Sequence, residues 1–184
     1  HVVLGVDRSF PAEEFGIEPH EAYGIRMMSV DFFSGDAAVA LRGTAMTNAL
    51  LELLAITRWG ILDLLILDMP PGLGDTSLDV INIVPGLEFL LVGNGSRVVI
   101  ESVHRAVALL SELGVPLIGL LENMSRTDDG AVAALAESFG VDYLGPVPFD
   151  PKLEAALGDV ERLRQTSVYR ELERLLADPG LLAG

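Results

Sequence analysis

An aspartate at the end of an apolar run, followed by two prolines and a glycine, carries the clearest chemistry in this sequence. The run reads Ile66-Leu67-Asp68-Met69-Pro70-Pro71-Gly72-Leu73-Gly74-Asp75. A parallel strand that ends on an acid delivers a carboxylate to the carboxyl edge of its sheet. There it can hold Mg²⁺, often through water, which is the Walker B arrangement. The Pro-Pro-Gly that follows is stiff and then permissive. It can hold a backbone N–H near a terminal phosphate and change shape when that phosphate leaves. The plain alternative is a strand-end turn in which Asp68 caps a helix, and the pattern alone leaves both open.

The matching phosphate cradle is missing from the sequence. A Walker A loop needs a glycine-rich turn followed by Lys and Ser or Thr. The single lysine, Lys152, sits in Asp150-Pro151-Lys152-Leu153, away from any such turn. The chain starts at His1 and enters Val2-Val3-Leu4-Gly5-Val6-Asp7 at once. An apolar run ending on an acid reads as an internal strand, so the expectation is a preceding segment that has been cut off.

Other side chains offer less. His1, His20 and His104 share no metal-ligand spacing. Ser77, Ser102 and Ser125 lack the glycine elbow of a hydrolase nucleophile. Met27 and Met28 read as core, Asp128-Asp129 as a helix cap, and Glu161 to Arg174 as a solvated face.

Positioning these residues requires a sheet. Residues 2–6 read as a buried strand, and a second strand reads over 25–32 after the loop at Pro11 and Pro19. Residues 43–57 have a helical pattern with Leu50, Leu53 and Leu54 on one face. Residues 62–67 form a short continuous apolar run, as a central parallel strand does, and 87–92 and 117–121 repeat it. Val99, Val103, Ala106 and Leu110 mark an amphipathic helix that stops at Gly114. Val132, Leu135, Ala136 and Phe139 mark another, begun by Asp128 or Asp129 and stopped at Gly140. Residues 141–147 read as a last strand. A C-terminal helix over 165–177 carries Val168, Leu172, Leu175 and Leu176 and meets Asp178-Pro179-Gly180. Alternating strands and helices imply an α/β fold, a mostly parallel sheet with helices on both faces, and ligands at the carboxyl ends of the strands. One domain over 1–184, incomplete at its N-terminus, is the expectation.

Composition narrows the function. Half of the residues are hydrophobic and few are aromatic, which suits strands buried on both faces. No apolar run is long enough to span a bilayer, no signal-peptide pattern is present, and a cytoplasmic setting is expected. A formal net charge of −15 repels phosphate backbones and argues against nucleic-acid binding. With no cysteine there can be no disulfide.

The string from Asp68 to Asp75 resembles the switch II signature Asp-Met-Pro-Pro-Gly-x-Gly-Asp of Mrp/ApbC-type ATPases, P-loop NTPases of the MinD/ParA superclass. Further segments are similar in the same order. Val3-Leu4-Gly5-Val6-Asp7 with Pro11 resembles the switch I strand, and Gly16-Ile17-Glu18-Pro19 with Tyr23 to Ser29 the loop and strand after it. Leu41-Arg42-Gly43, Trp59-Gly60-Ile61-Leu62-Asp63 and Glu122-Asn123-Met124-Ser125 resemble the family's corresponding segments. Leu144-Gly145-Pro146-Val147-Pro148-Phe149-Asp150-Pro151 resembles its Gly-x-x-Pro-x-Asp-Pro. The likeness runs from residue 2 to about residue 160.

The resemblance implies an ATP-binding, ATP-hydrolysing protein linked to iron–sulfur cluster assembly, dimeric with nucleotide at the interface. It implies that Asp7 lies near the attacking water and that Asp68 is the Mg²⁺-linked acid. Pro71, Gly72 and Asp75 then belong to the γ-phosphate sensor. Asn123 would read the adenine edge, and Pro148 and Asp150 would lie on the loop beside the base. An amide can serve adenine with one donor and one acceptor, although Asn123 can equally close the next loop. The resemblance also implies that the strand leading into the phosphate loop belongs between 2–6 and 62–67, so that a gap or a substitute strand is expected there.

Departures from the pattern matter. Gly5 stands where the family has its first switch I aspartate, and Leu73 where it has threonine. Gly93-Asn94-Gly95-Ser96-Arg97 replaces Thr-Thr-Pro-Gln-Glu, and Arg126-Thr127-Asp128-Asp129-Gly130 replaces the cysteine-bearing segment. Clusters are held mainly by thiolates, so no iron–sulfur cluster is expected on this chain alone. Two alternatives therefore stand beside the ATPase: a catalytically degenerate scaffold of the same fold, and a ParA/MinD-like positioning switch. The acidic surface argues against the second.

Overall fold

A computed structural model of the chain describes residues 1–33, 43–126 and 130–177. The described chain forms two compact units. One comprises His1–Ile83 with Leu157–Val160, and the other Val84–Ala156 with the described residues from Glu161 onward.

The second unit is a three-stranded parallel sheet with helices. Its elements are β3 (Phe89–Gly93), α3 (Arg97–Glu112), β4 (Leu117–Ser125), α4 (Ala131–Phe139), β5 (Tyr143–Pro148), the short α5 (Leu153–Ala156) and α6 (Val160–Leu163), and α7 (Ser167–Leu176). The sheet order is β3-β4-β5, with β4 hydrogen-bonded in parallel on both sides. Ser96 starts α3, its Oγ accepting from the Val99 N–H at 3.4 Å. Gly114, with φ +66°, ends it: the Gly114 N–H bonds the Ser111 carbonyl and the Val115 N–H bonds the Leu110 carbonyl. This pairing satisfies carbonyls that the last turn leaves open. Gly140 closes α4 in the same way. Both stops are where the sequence puts them; Asp128 and Asp129, the expected start of α4, lie outside the described residues, as do Leu41, Arg42 and Asp178-Pro179-Gly180. The buried cluster is Val103 and Val107 from α3, Leu120 from β4, and Val132, Leu135 and Ala136 from α4. α7 packs on β5.

The first unit holds an antiparallel hairpin, β1 (His20–Ala22) and β2 (Ile25–Met27), then a 3₁₀ turn over Val30–Phe33, α1 (Thr44–Ile56) and α2 (Asp75–Ile83). Tyr23 and Gly24 both have positive φ, +55° and +78°, as a two-residue hairpin turn of the primed type requires. The strand expected over 25–32 is thus only three residues long. It ends because Ser29 captures the chain: its Oγ accepts from the Asp31 N–H at 3.2 Å and its carbonyl accepts from the Phe32 N–H.

Two expected strands do not form ladders. Residues 2–6 curl, with the Val6 N–H donating to the His1 carbonyl at 3.0 Å and Gly5 at φ +63°. Residues 62–67 pair with no strand among the described residues. Arg26 Nη1 donates to the Trp59 and Ile61 carbonyls and ties the start of this run to the hairpin. Thr47 of α1 donates to Asp79 Oδ2 of α2 at 2.7 Å, and Ser77 Oγ is buried without a partner among the described residues.

Candidate functional site

The carboxyl ends of β4 and β5 bring one group of predicted residues together. Ser125 pairs with Pro148, and the Phe149 N–H donates to the Ser125 carbonyl at 2.9 Å, so the two strand ends are latched. Between Glu122 and Ser125 the register shifts, and Met124 takes φ +57°. Such a bulge re-aims the side chains around it. Asn123 Oδ1 accepts from the Met124 N–H at 2.9 Å, the local closure that the sequence left open. Its amide nitrogen bonds nothing among the described residues and is available to a ligand.

Asp150 is committed differently. Oδ1 accepts from the Lys152 N–H at 2.8 Å, and Oδ2 accepts from the Ser167 N–H at 2.7 Å and the Ser167 hydroxyl at 2.9 Å. The Ser167 N–H, then the Lys152 N–H and the Ser167 hydroxyl, hold this carboxyl below the usual carboxylate range. Asp150 therefore ties the loop after β5 to the first turn of α7.

Two features here were not singled out from the sequence. Glu122 is 2 % exposed, and its Oε2 accepts from the Tyr143 hydroxyl at 3.0 Å, a polar pair in the sheet interior. An acid inside Leu120-Leu121-Glu122 is the signal that could have found it; nothing local names Tyr143. The Arg126 guanidinium lies 4.0 Å from the centre of the Phe149 ring.

The other predicted residues lie in the first unit. Asp68 is exposed and lines an open groove of about 820 Å³. The groove runs between the Leu50, Leu53 and Leu54 face of α1, the hairpin strand Ile25–Met27, and the extended run 61–70. Pro71 and Gly72 follow, both exposed; Gly72 has φ +81° with nothing among the described residues within 4 Å of where a Cβ would stand. Asp75 is the first residue of α2, where a carboxylate favours the helix dipole. Asp7 is exposed and is not among the residues lining the groove. At Gly5 a Cβ would come within 2.5 Å of the Gly158 carbonyl oxygen, so the backbone is built around glycine there.

No group of three acidic, histidine or cysteine side chains that could cage a metal occurs among the described residues. Mg²⁺ needs fewer, because it keeps waters and shares phosphate oxygens with a nucleotide. Asp68, exposed on a groove that Glu21 and Asp63 also line, fits that shared role and no self-sufficient one. All three histidines pack edge-on against aromatic rings: His1 on Phe32 at 6.0 Å, His20 on Phe32 at 4.5 Å and His104 on Phe139 at 5.0 Å.

The family model of NUBPL iron-transfer P-loop NTPases, within ParA, matches residues 1–177. The chain belongs to this family. An iron–sulfur cluster carrier protein of Saccharolobus solfataricus is 35 % identical over 171 residues, covering 84 % of this chain and 58 % of that protein. The iron–sulfur cluster transfer protein NUBPL of Dictyostelium discoideum is 33 % identical over 156 residues, covering 77 % of this chain and 48 % of that protein. The chain thus spans about half the length of these curated relatives. A nucleotide-binding protein of Archaeoglobus fulgidus, solved in complex with ADP, shares the fold with a TM-score of 0.66 at 22 % identity, over 86 % of this chain and 66 % of that one. No helix among the described residues is long and apolar enough to cross a membrane.

Proposed function

We propose that this chain is part of a cytoplasmic ATP-binding switch of the NUBPL type, linked to iron–sulfur cluster assembly. The observation that carries the reading is the strand-end pair in the second unit: Asn123, with an amide nitrogen open to a ligand, on the strand beside the one ending at Pro148. The carboxyl edge of a parallel sheet is where α/β proteins of this kind bind ligands. In this reading the Asn123 amide donates to the adenine edge. Asp150 does not touch the base; it holds the loop in place through Ser167. Asp68 shares Mg²⁺ with the nucleotide, the 71–75 turn follows the terminal phosphate, Asp7 orients water, and two copies close on the nucleotide. Mg²⁺, when bound, neutralises charge between the phosphates. With no cysteine in these residues, cluster thiolates come from outside this chain.

A second reading, a scaffold of the same fold that has lost turnover, is favoured by Gly5. An aspartate there would meet the Gly158 backbone.

An NMR titration of the 184-residue chain with Mg-ATP tests the first reading. The expected result is amide shifts centred on 123–126 and 148–150 that weaken in Asn123→Ala. Shifts confined elsewhere, or indifferent to that substitution, contradict it.

A further inference from the structure

The stack of Arg126 on Phe149 joins the ends of two neighbouring strands. Arg126 follows β4 directly and Phe149 follows β5, and the Phe149 N–H bonds the Ser125 carbonyl at 2.9 Å. The backbone is therefore fixed on both sides of the contact. The guanidinium sits 4.0 Å from the ring centre, within the range where a cation is held by the ring's quadrupole. Both side chains remain exposed, Phe149 at 43 %. At this spacing the guanidinium lies over one face of the ring, and the pair presents both a cation and an aromatic ring to solvent. This surface lies at the carboxyl edge, on a chain whose net charge is −15. The partner chemistry that the ring and the guanidinium share is narrow. Guanidinium and phenyl planes both stack on a planar, electron-rich heterocycle. A phosphate would call on the guanidinium alone and leave the ring idle. An aliphatic peptide would use the ring but leave the guanidinium desolvated and unpaired.

We propose that Arg126 and Phe149 form a stacking platform for the purine ring of the bound nucleotide, supplying face contact where Asn123 supplies the edge. The inference rests on the nucleotide-binding reading above, and its test separates the two. Base stacking of this kind changes affinity by about fivefold to a hundredfold on removal. The expected result is that Phe149→Leu and Arg126→Gln each weaken ATP by at least about fivefold. Binding of inorganic tripolyphosphate should stay unchanged. The adenine H8 and H2 resonances should shift upfield on binding to the wild-type chain and lose that shift in Phe149→Leu, while Phe149→Trp retains it. Both side chains are exposed, so the amide spectra of β3, β4 and β5 should persist in every variant. Wild-type binding of ATP that neither substitution alters overturns the platform and leaves the nucleotide reading standing. Parallel loss of tripolyphosphate makes Arg126 a phosphate ligand and also overturns it. A wild-type chain that takes up no ATP at about ten millimolar, a free energy near −3 kcal/mol, overturns both.

Discussion

Residues 62–67, apolar but for Asp63, and 117–121 both have the pattern of a central parallel strand, yet only one is a strand. Leu117–Leu121 lies in β4, paired on both sides, with Leu120 fully buried under α3 and α4. Residues 62–67 make no backbone hydrogen bond with the described residues, and Ile66 is 77 % exposed. Apolar content does not separate the two. What separates them is neighbours: a parallel strand is stable only where others complete its hydrogen bonds and helices cover its faces. An apolar run therefore specifies a demand for burial, and the rest of the fold decides whether the demand is met.

Amide exchange shows the contrast at its largest. Exchange of the Leu120 and Leu121 amides should require opening of the sheet, whereas residues 62–67 should exchange close to the rate of free chain, at least about a thousandfold faster. Equal protection of the two runs would show that 62–67 has found partners. Mutation sharpens the same point. Leu120→Ala should cost about 2–5 kcal/mol in denaturant melts, because it opens a cavity in the cluster of Val107, Val132 and Leu135. Ile66→Ala should stay within about 0.5 kcal/mol. Comparable costs would contradict the assignment of the core.

Gly5 gives a smaller effect in the first unit. Its φ of +63° and the 2.5 Å approach of the Gly158 oxygen leave no room for a side chain. Gly5→Ala should destabilise that unit by about 1–3 kcal/mol. Gly5→Asp, which restores the family's residue, should lower stability as well and confer no ATP hydrolysis. A stable, more active Gly5→Asp protein would count against the scaffold reading.

The smallest effect is on pH. Asp150 has a folded pKa below the ordinary 3.8 because the Ser167 and Lys152 N–H groups bond its charged form. A depressed acid contributes its stability in full above the unfolded value and loses it as pH falls through the folded one. The Ser167 amide resonance should therefore hold steady down to about pH 4 and move below it, and Asp150→Asn should remove that step. A Ser167 titration near neutral pH would contradict the assignment.

The legible parts share a cause. Gly114 and Gly140 ended their helices as read, because a left-handed residue leaves a local mark. The apolar face of α3 was legible for the same reason: its period lies within one element. The placement of Asn123 beside Pro148 followed from matching whole motifs. The hairpin at Tyr23-Gly24 was not read, since it puts a tyrosine at positive φ. The curl of 2–6 depends on Gly158, far along the chain. Arg126 with Phe149, and Glu122 with Tyr143, meet only because a parallel crossover sets β5 beside β4. Such pairs have no local period to betray them.

Calorimetric titration of the 184-residue chain with Mg-ATP tests the central claim most directly. Asn123 lies on β4 and Pro148 ends the neighbouring β5, where the base is proposed to bind, while the sequence holds no glycine-rich loop with lysine to take the phosphates. Charge-assisted phosphate contacts are worth about 1.5–3 kcal/mol each, and every 1.4 kcal/mol is about tenfold. Binding no tighter than about millimolar, weakened further by Asn123→Ala, is the predicted result. Micromolar binding by this chain, unaffected by Asn123→Ala, would contradict it and place the nucleotide elsewhere.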